Sequence, residues 1–290
     1  MSKYQRFIRD IPLNCQIEVT NRCNLNCGMC NREKLFTKEE LTKDMDLQRF
    51  KEIIERIPEI PWINLGGRGE PLLHPDIFLM IDFCKTHKKR GYITTNGFLL
   101  NKDMIKRLVD SGIDRVEVSL EYIKSHNNPN AHPFDKRVIE YIIYLAKIRK
   151  NGLPHLRLQV TLHKDNMVHI FQIIDFAREN NITSINIQRL NLISSNNLKR
   201  PDVSSEYEFY RKAHLYSKRN RVDLTTNLSL YGKSLPNRFT QSEIDFIISN
   251  NLCVELFDNI YVNMLGDVTP CCLLPKYSVG NLYNEDMDSI

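Results

Sequence analysis

Three cysteines, Cys23, Cys27 and Cys30, stand in the stretch NRCNLNCGMC (residues 21–30) at the spacing CxxxCxxC, directly after the apolar-alternating run CQIEVT. Thiolates set this closely are soft metal ligands. Three readings are open: incidental thiols in a loop, a zinc site, or an iron–sulfur cluster held by a tight run of cysteines. Zinc would require a fourth ligand and usually a second close Cys or His pair; no histidine lies nearer in the chain than His74. Three thiols cannot complete a tetrahedral site or a cubane by themselves. One coordination position is left to another group, as at a catalytic metal.

The other polar stretches share one habit. GGRGEPLLHP (66–75), TTNG (94–97), SLEYIKSHNNPNAHP (119–133) and QRLN (188–191) each follow a strand-like run, as the cysteine loop does. The strand candidates are CQIEVT (15–20), WINLGG (62–67), GYITT (91–95), RVEVSL (115–120), LRLQVTL (156–162) and SINIQRL (184–190). Helical periodicity fills the intervals. In DLQRFKEIIERI, Leu47, Phe50, Ile53, Ile54 and Ile57 share a face behind an Asp46 cap. VIEYIIYLAKI and VHIFQIIDFA are apolar enough to pack on a sheet, and KNG (150–152) is a helix stop. Six βα-type units predict an α/β fold with a parallel sheet, barrel-like or doubly wound. Chemistry in such folds gathers at the carboxyl ends of the strands, so the polar stretches should form one site.

Composition sets wider bounds. The chain has 290 residues, 42% apolar and 26% charged, with 35 acids against 40 bases for a net charge of +5. That is the balance of an ordinary globular protein. The basic runs KTHKKR (85–90) and KIRK (147–150) fall where helices should end and read as solvated cations. No aromatic-interleaved basic stripe accompanies them, so no nucleic-acid partner is expected. The N-terminal segment has no apolar signal region and no window reaches the length of a membrane span, which predicts a cytoplasmic protein. Eight cysteines there read as metal ligands and buried thiols, with Cys15 and Cys84 in the core. No P-loop and no GxGxxG after a strand appears.

Beyond about residue 192 the alternation fades into a polar loop and a surface helix, EYEFYRKAHLYSKR. Ile260, Val262 and Met264 then alternate up to Gly266-Asp267, a hairpin signal. The expected organisation is an N-terminal tail (1–13), a core (14–220) and a small β-rich appendage (221–290).

CxxxCxxC after a first strand, followed in order by GxGEPLL and TTNG, resembles the radical S-adenosylmethionine (SAM) superfamily from about residue 14 to 190. The resemblance implies a partial (β/α)6 TIM-like barrel. Cys23, Cys27 and Cys30 would hold three irons of a 4Fe–4S cluster, the fourth being chelated by the amino and carboxylate groups of SAM. Reductive cleavage would yield methionine and a 5′-deoxyadenosyl radical that takes a hydrogen atom from a peptide or small-molecule substrate. An electron donor such as flavodoxin or ferredoxin would serve it. Gly67, Gly69 and Glu70 would let backbone approach the methionine amino group. Asn96 lies in the TTNG segment, Ser119 matches a position that contacts the SAM carboxylate or ribose, and Gln188 to Leu190 lie where family backbones meet adenine. Arg137 is a cation for the SAM carboxylate or a solvated helix-start arginine. Two departures stand out: Met29 precedes the third cysteine where many members carry an aromatic, and a Gly-Arg insertion lengthens GGEP to GGRGEP.

The tail resembles the opening of a SPASM or twitch domain, which carries auxiliary 4Fe–4S clusters. Cys253 and Cys271 match its first two ligand positions, with Gly266 between them. Its later cysteines are missing, so the chain is expected to stop short of that domain or to encode a reduced one, to bind about four irons, and to leave the tail partly disordered. The alternative from another class is a non-catalytic iron–sulfur or zinc module, which leaves the GEP, TNG and Ser119 positions unexplained.

Overall fold

A computed structural model of the chain describes residues 12–124, 135–190, 198–226, 258–272, 274 and 276–290. Six parallel strands appear where alternation places them: β1 (Asn14–Ile17), β2 (Trp62–Leu65), β3 (Arg90–Thr95), β4 (Arg115–Ser119), β5 (His155–Leu162) and β6 (Ser184–Arg189). They pair in chain order. The helices between them are α1 (Arg32–Leu35), α2 (Leu47–Glu55), α3 (Ile77–Thr86), α4 (Lys102–Asp110), α5 (Lys136–Ile148) and α6 (Ile170–Glu179). Asp46 caps α2 by accepting from the Gln48 and Arg49 amides, and Asn101 and Asp135 cap α4 and α5 in the same way. After α5 the chain turns through Asn151 and Gly152, both at positive φ.

Period two divides the strands into two faces. Cys15, Ile17, Ile63, Leu65, Ile93, Val116, Val118, Leu156, Leu158, Ile185 and Ile187 are buried in one apolar core together with Phe50, Ile53 and Ile54 of α2. The alternate positions carry polar residues: Gln16, Asn64, Thr94, Glu117, Arg157, Gln159 and Asn186. Toward the amino ends of the strands, Glu117 is held by Arg115 at 3.0 Å and Arg157 at 3.3 Å, and the Arg115 guanidinium lies 4.0 Å from the Tyr92 ring centroid. Nearer the carboxyl ends the Thr225 hydroxyl donates to Asn186 Oδ1 at 3.0 Å, and Asn186 Nδ2 donates to Gln159 Oε1 at 2.8 Å. The inner face is a lattice of amides, hydroxyls and neutralised charges.

Three features depart from expectation. The alternation does not end at residue 192: α7 (Val203–Arg219) leads into β7 (Asp223–Thr226), which pairs parallel with β6. The helix read as a surface element buries Phe209, Tyr210 and Ala213, so it is the cover of one more βα unit. Its short strand DLTT carries too little apolar alternation to be read in the sequence. On the far side, β8 (Asn259–Val262) lies parallel to β1, and β9 (Asp267–Thr269) and β10 (Gly280–Asn281) continue the sheet antiparallel. The hairpin around Gly266, at φ +81°, is present, and the described part of the tail extends the main sheet. Lys89, in the basic run taken as solvated, is buried, its ammonium donating to the carbonyls of Ile57, Pro58 and Ile60 beyond α2. Those carbonyls face inward, and only a long cation reaches them all. Cys15 and Cys84 are fully buried, as expected.

Candidate cluster and cofactor site

The cysteine loop leaves β1 and is braced by residues that its spacing does not reveal. The Arg22 guanidinium donates to both Asp44 carboxylate oxygens, at 2.9 and 2.7 Å, and to the Leu73 carbonyl at 2.6 Å. Thr20 donates to Asp44 Oδ1 at 2.6 Å and accepts the Arg22 N–H at 3.0 Å. Arg32, opening α1, donates to the Asn21 carbonyl at 2.9 Å. His74 is buried and accepts the Asp76 N–H on Nδ1, so its Nε2 donates to the Met45 carbonyl at 2.9 Å. These contacts weld the loop to the segment before α2 and to the turn after β2.

Glu70 ties the three motifs together. Its backbone N–H donates to the Arg22 carbonyl at 2.8 Å. Its carboxylate accepts from the Thr95 hydroxyl at 2.7 Å, the Asn96 amide at 2.8 Å and the Leu72 amide at 3.1 Å. Burial pushes this carboxyl up to about 7 against those donors. Asn96 closes the ring. Its side-chain nitrogen donates to Asn24 Oδ1 at 2.8 Å and stands 3.8 Å from Cys23 Sγ, while its oxygen accepts the Phe98 N–H at 2.9 Å. The cysteine loop, the GEP turn and the TNG turn thus hold one another at the carboxyl ends of adjacent strands.

Two glycines have a steric reason besides the close approach to SAM that the resemblance implies. A Cβ on Gly69 would lie 2.3 Å from the Thr20 carbonyl oxygen and 2.5 Å from that of Arg22. A Cβ on Gly67 would lie 2.6 Å from Glu18 Cγ. The close approach that demands glycine here is to the cysteine loop and β1.

The thiols fit a bound cluster. Cys23 Sγ receives the Leu25 N–H at 3.5 Å besides the Asn96 amide, donors suited to a thiolate. Burial, and then the charge of Glu121, push the Cys27 thiol up to about 12, and Cys30 and Cys23 are further electrostatic neighbours. Burial raises Cys23 as well. Unliganded, Cys23 and Cys27 keep their protons, and a metal must displace them. No three Cys, His, Asp or Glu side chains among the described residues are grouped closely enough for a single metal ion. A cluster takes one thiolate on each of three irons and needs no such convergence.

Residues 17–177 match the radical SAM superfamily, and residues 253–290 match SPASM, described as an iron–sulfur cluster-binding domain. The chain belongs to the radical SAM superfamily. Its cofactors are accordingly a 4Fe–4S cluster and SAM, and the SPASM match points to auxiliary iron–sulfur binding in the tail. Among curated relatives, the tungsten-containing aldehyde ferredoxin oxidoreductase cofactor-modifying protein of Pyrococcus furiosus is 34% identical over 161 residues, 52% of this chain and 44% of that protein. A probable GTP 3′,8-cyclase of Thermococcus kodakarensis is 31% identical over 72% of this chain and 64% of its own length. The chain thus spans less than two thirds of both. The AdoMet-dependent heme synthase of Methanosarcina barkeri is 23% identical over 94% of the chain and 80% of its own length. Streptococcus suis SuiB, a solved structure, shares the fold with a TM-score of 0.77 at 20% identity, covering 99% of this chain and 67% of SuiB.

The remaining residues singled out from the radical SAM resemblance fall in different settings. Ser119 ends β4, half-buried, in register with Gln159 of β5. Gln188 is exposed near the end of β6. Leu190 is buried, its N–H donating to the Leu162 carbonyl at 3.1 Å and its carbonyl accepting from Arg200 at 2.5 Å, so both of its backbone groups are engaged within the protein. Arg137 is exposed and its guanidinium grips Asp135, the cap of its own helix, at 2.5–3.2 Å. Cys271 is half-buried beyond β9; Cys253 lies outside the described residues. Arg22, Thr20 and Asp44 carry no motif signal, because their role is to brace a loop from positions far apart in the chain.

Proposed function

We propose that the chain is an enzyme that binds a 4Fe–4S cluster through Cys23, Cys27 and Cys30, binds SAM beside it, and acts on a peptide or small-molecule substrate held at the polar inner face of the sheet. The observation that carries this reading is the interlock of the three motifs through Glu70 and Asn96 at the carboxyl ends of β1, β2 and β3. When bound, the cluster supplies the electron that cleaves SAM to methionine and a 5′-deoxyadenosyl radical, which removes a hydrogen atom from the substrate.

The chain's own residues present and orient. Arg22 and Asp44 hold the loop, and Asn96 steadies Cys23. Ser119, Gln188 and Leu190 lie at strand ends where SAM would contact hydroxyl, amide and apolar groups. Arg137 pairs with SAM only if it exchanges Asp135 for the SAM carboxylate. Gln159, Asn186 and Thr225 offer neutral hydrogen-bonding groups to a substrate. The names of the relatives point both to small molecules and, through SuiB solved with its precursor peptide SuiA, to peptides. A small reducing partner such as ferredoxin or flavodoxin and a cytoplasmic location belong to the same reading; no helix among the described residues is long and apolar enough to cross a membrane.

Anaerobic reconstitution tests the proposal. The brown protein, once reduced, should convert SAM to 5′-deoxyadenosine, and Cys23→Ala, Cys27→Ala or Cys30→Ala should each abolish the conversion. Undiminished cleavage in any of the three single variants would overturn it.

A further inference from the structure

Arg68, the arginine of the Gly-Arg insertion in GGRGEP, has no part in the site as described so far. Its arginine side chain leaves the cofactor turn and reaches the tail. The Arg68 guanidinium donates to the Cys272 carbonyl through Nε at 3.2 Å and Nη2 at 2.8 Å, with Nη2 3.9 Å from Cys272 Sγ. The Arg68 backbone N–H donates in the other direction, to Glu18 Oε1 at 3.3 Å. Glu18 is buried just past β1. Its N–H donates to the Val262 carbonyl at 2.8 Å, its carboxylate lies beside the buried Tyr261 hydroxyl of β8, and Asn21, amide nitrogen inward, donates to both of its oxygens at 3.0 and 3.2 Å. Gly67 packs directly on the Glu18 side chain. The end of β1, the cofactor turn, β8 and the cysteine turn after β9 therefore meet in one network centred on Arg68 and Glu18.

We propose that Arg68 is a positioning residue that ties the Cys271–Cys272 turn of the tail to the cofactor turn, so that the tail cysteines and the Glu70–Cys23 assembly are held in fixed relation. The chemistry suits arginine. A planar, permanently charged fork reaches one carbonyl with two parallel N–H groups, and a lysine brings a single point donor. The insertion matters for the same reason: it lets Arg68 face the tail while Gly69 and Glu70 keep their places against the cysteine loop. The link to SAM rests on the function proposed above, whereas the tie to the tail does not.

Two measurements on the 290-residue chain test it. In the metal-free protein, amide hydrogen exchange should speed up about tenfold or more in residues 261–269 and 279–282 of Arg68→Met, and less in Arg68→Lys, with the amides of α7 unchanged as the control for folding. In the reconstituted protein, the SAM dissociation constant of Arg68→Met should rise at least about fivefold, the lower end of ordinary coupling between sites, and Arg68→Lys should recover part of it. Parental exchange in the tail of Arg68→Met, equal loosening of α7, or a parental SAM affinity would each overturn the proposal. If Arg68→Met does not fold, the same comparison in Arg68→Lys decides. A parent that binds no SAM would count against the proposed function alone, since the metal-free exchange still reads the tie.

Discussion

At Gly69 one methyl group distinguishes two explanations of the same motif. If its only role were to let SAM approach, a side chain there would weaken SAM binding and leave the cluster intact. The structure puts two backbone carbonyls in the path of any Cβ, at 2.3 and 2.5 Å, and backbone cannot swing aside as a side chain can. Gly69→Ala should therefore displace the cysteine loop itself, and iron and sulfide per chain after reconstitution should fall together with SAM binding. A full iron complement with weakened SAM binding would restore the simpler explanation. Glu18 supports a prediction of another kind. Burial raises its carboxyl from 4.5 to about 7. A group whose folded pKa lies above its unfolded value holds its proton more tightly in the folded state, so the stability Glu18 contributes is fully present below about 4.5 and is lost as pH rises through about 7. The metal-free protein should lose about 1–3 kcal/mol of stability across that window, read as a lower melting temperature, and Glu18→Gln should remove most of that loss. An unchanged loss would remove Glu18 as its source.

At the scale of elements, the joints between α2, β2 and β3 depend on a residue whose type suggests the surface. The Lys89 ammonium gathers the carbonyls of Ile57, Pro58 and Ile60, where the chain leaves α2 to enter β2. No helical N–H is available to those carbonyls beyond the helix end. Lys89→Met keeps the length and apolar stem but removes the donor the three share, leaving the Ile57 carbonyl only the Ile60 N–H at 3.2 Å, and should cost about 2–3 kcal/mol, read as a lower denaturation midpoint with an unchanged denaturant slope. A loss below about 0.5 kcal/mol would show that water takes over the contacts. The positioning of β2 matters because the GEP turn that carries Glu70 begins where β2 ends.

For the whole molecule, the sheet continues on both sides of the six strands read from alternation. β7 extends it beyond β6, and β8 pairs with β1 and carries the tail into the sheet. The tail turn with Cys271 and Cys272 is thereby anchored to the same strand that launches the cysteine loop. How many clusters the chain holds follows from metal analysis. Although the SPASM match points to auxiliary iron–sulfur binding, the cysteines of these 290 residues favour about four irons per chain, lost on Cys23→Ala and unchanged on Cys271→Ala, because Cys253, Cys271 and Cys272 by themselves cannot supply four ligands and adjacent thiols strain to share one cubane. About eight irons, halved by Cys271→Ala, would assign a second cluster to the tail.

The first six strands, the cap at Asp46, the core cysteines and the order of the motifs were legible in the sequence, because each depends on local periodicity or on a short run of residue types. CxxxCxxC, GEP and TNG are contiguous stretches whose chemistry is carried by their own residues. What the sequence could not determine is how those stretches hold one another. Glu70 reaching Thr95 and Asn96, Arg22 reaching Asp44 and Leu73, Lys89 collecting carbonyls past α2, and Arg68 meeting Cys272 across 204 positions are contacts between residues with no periodic or spacing relation. The weak strand DLTT, too short and polar to announce itself, became part of the sheet because β6 offered an edge and α7 an apolar cover. Local patterns encode the elements, and only closure of the chain decides which buried polar groups find partners.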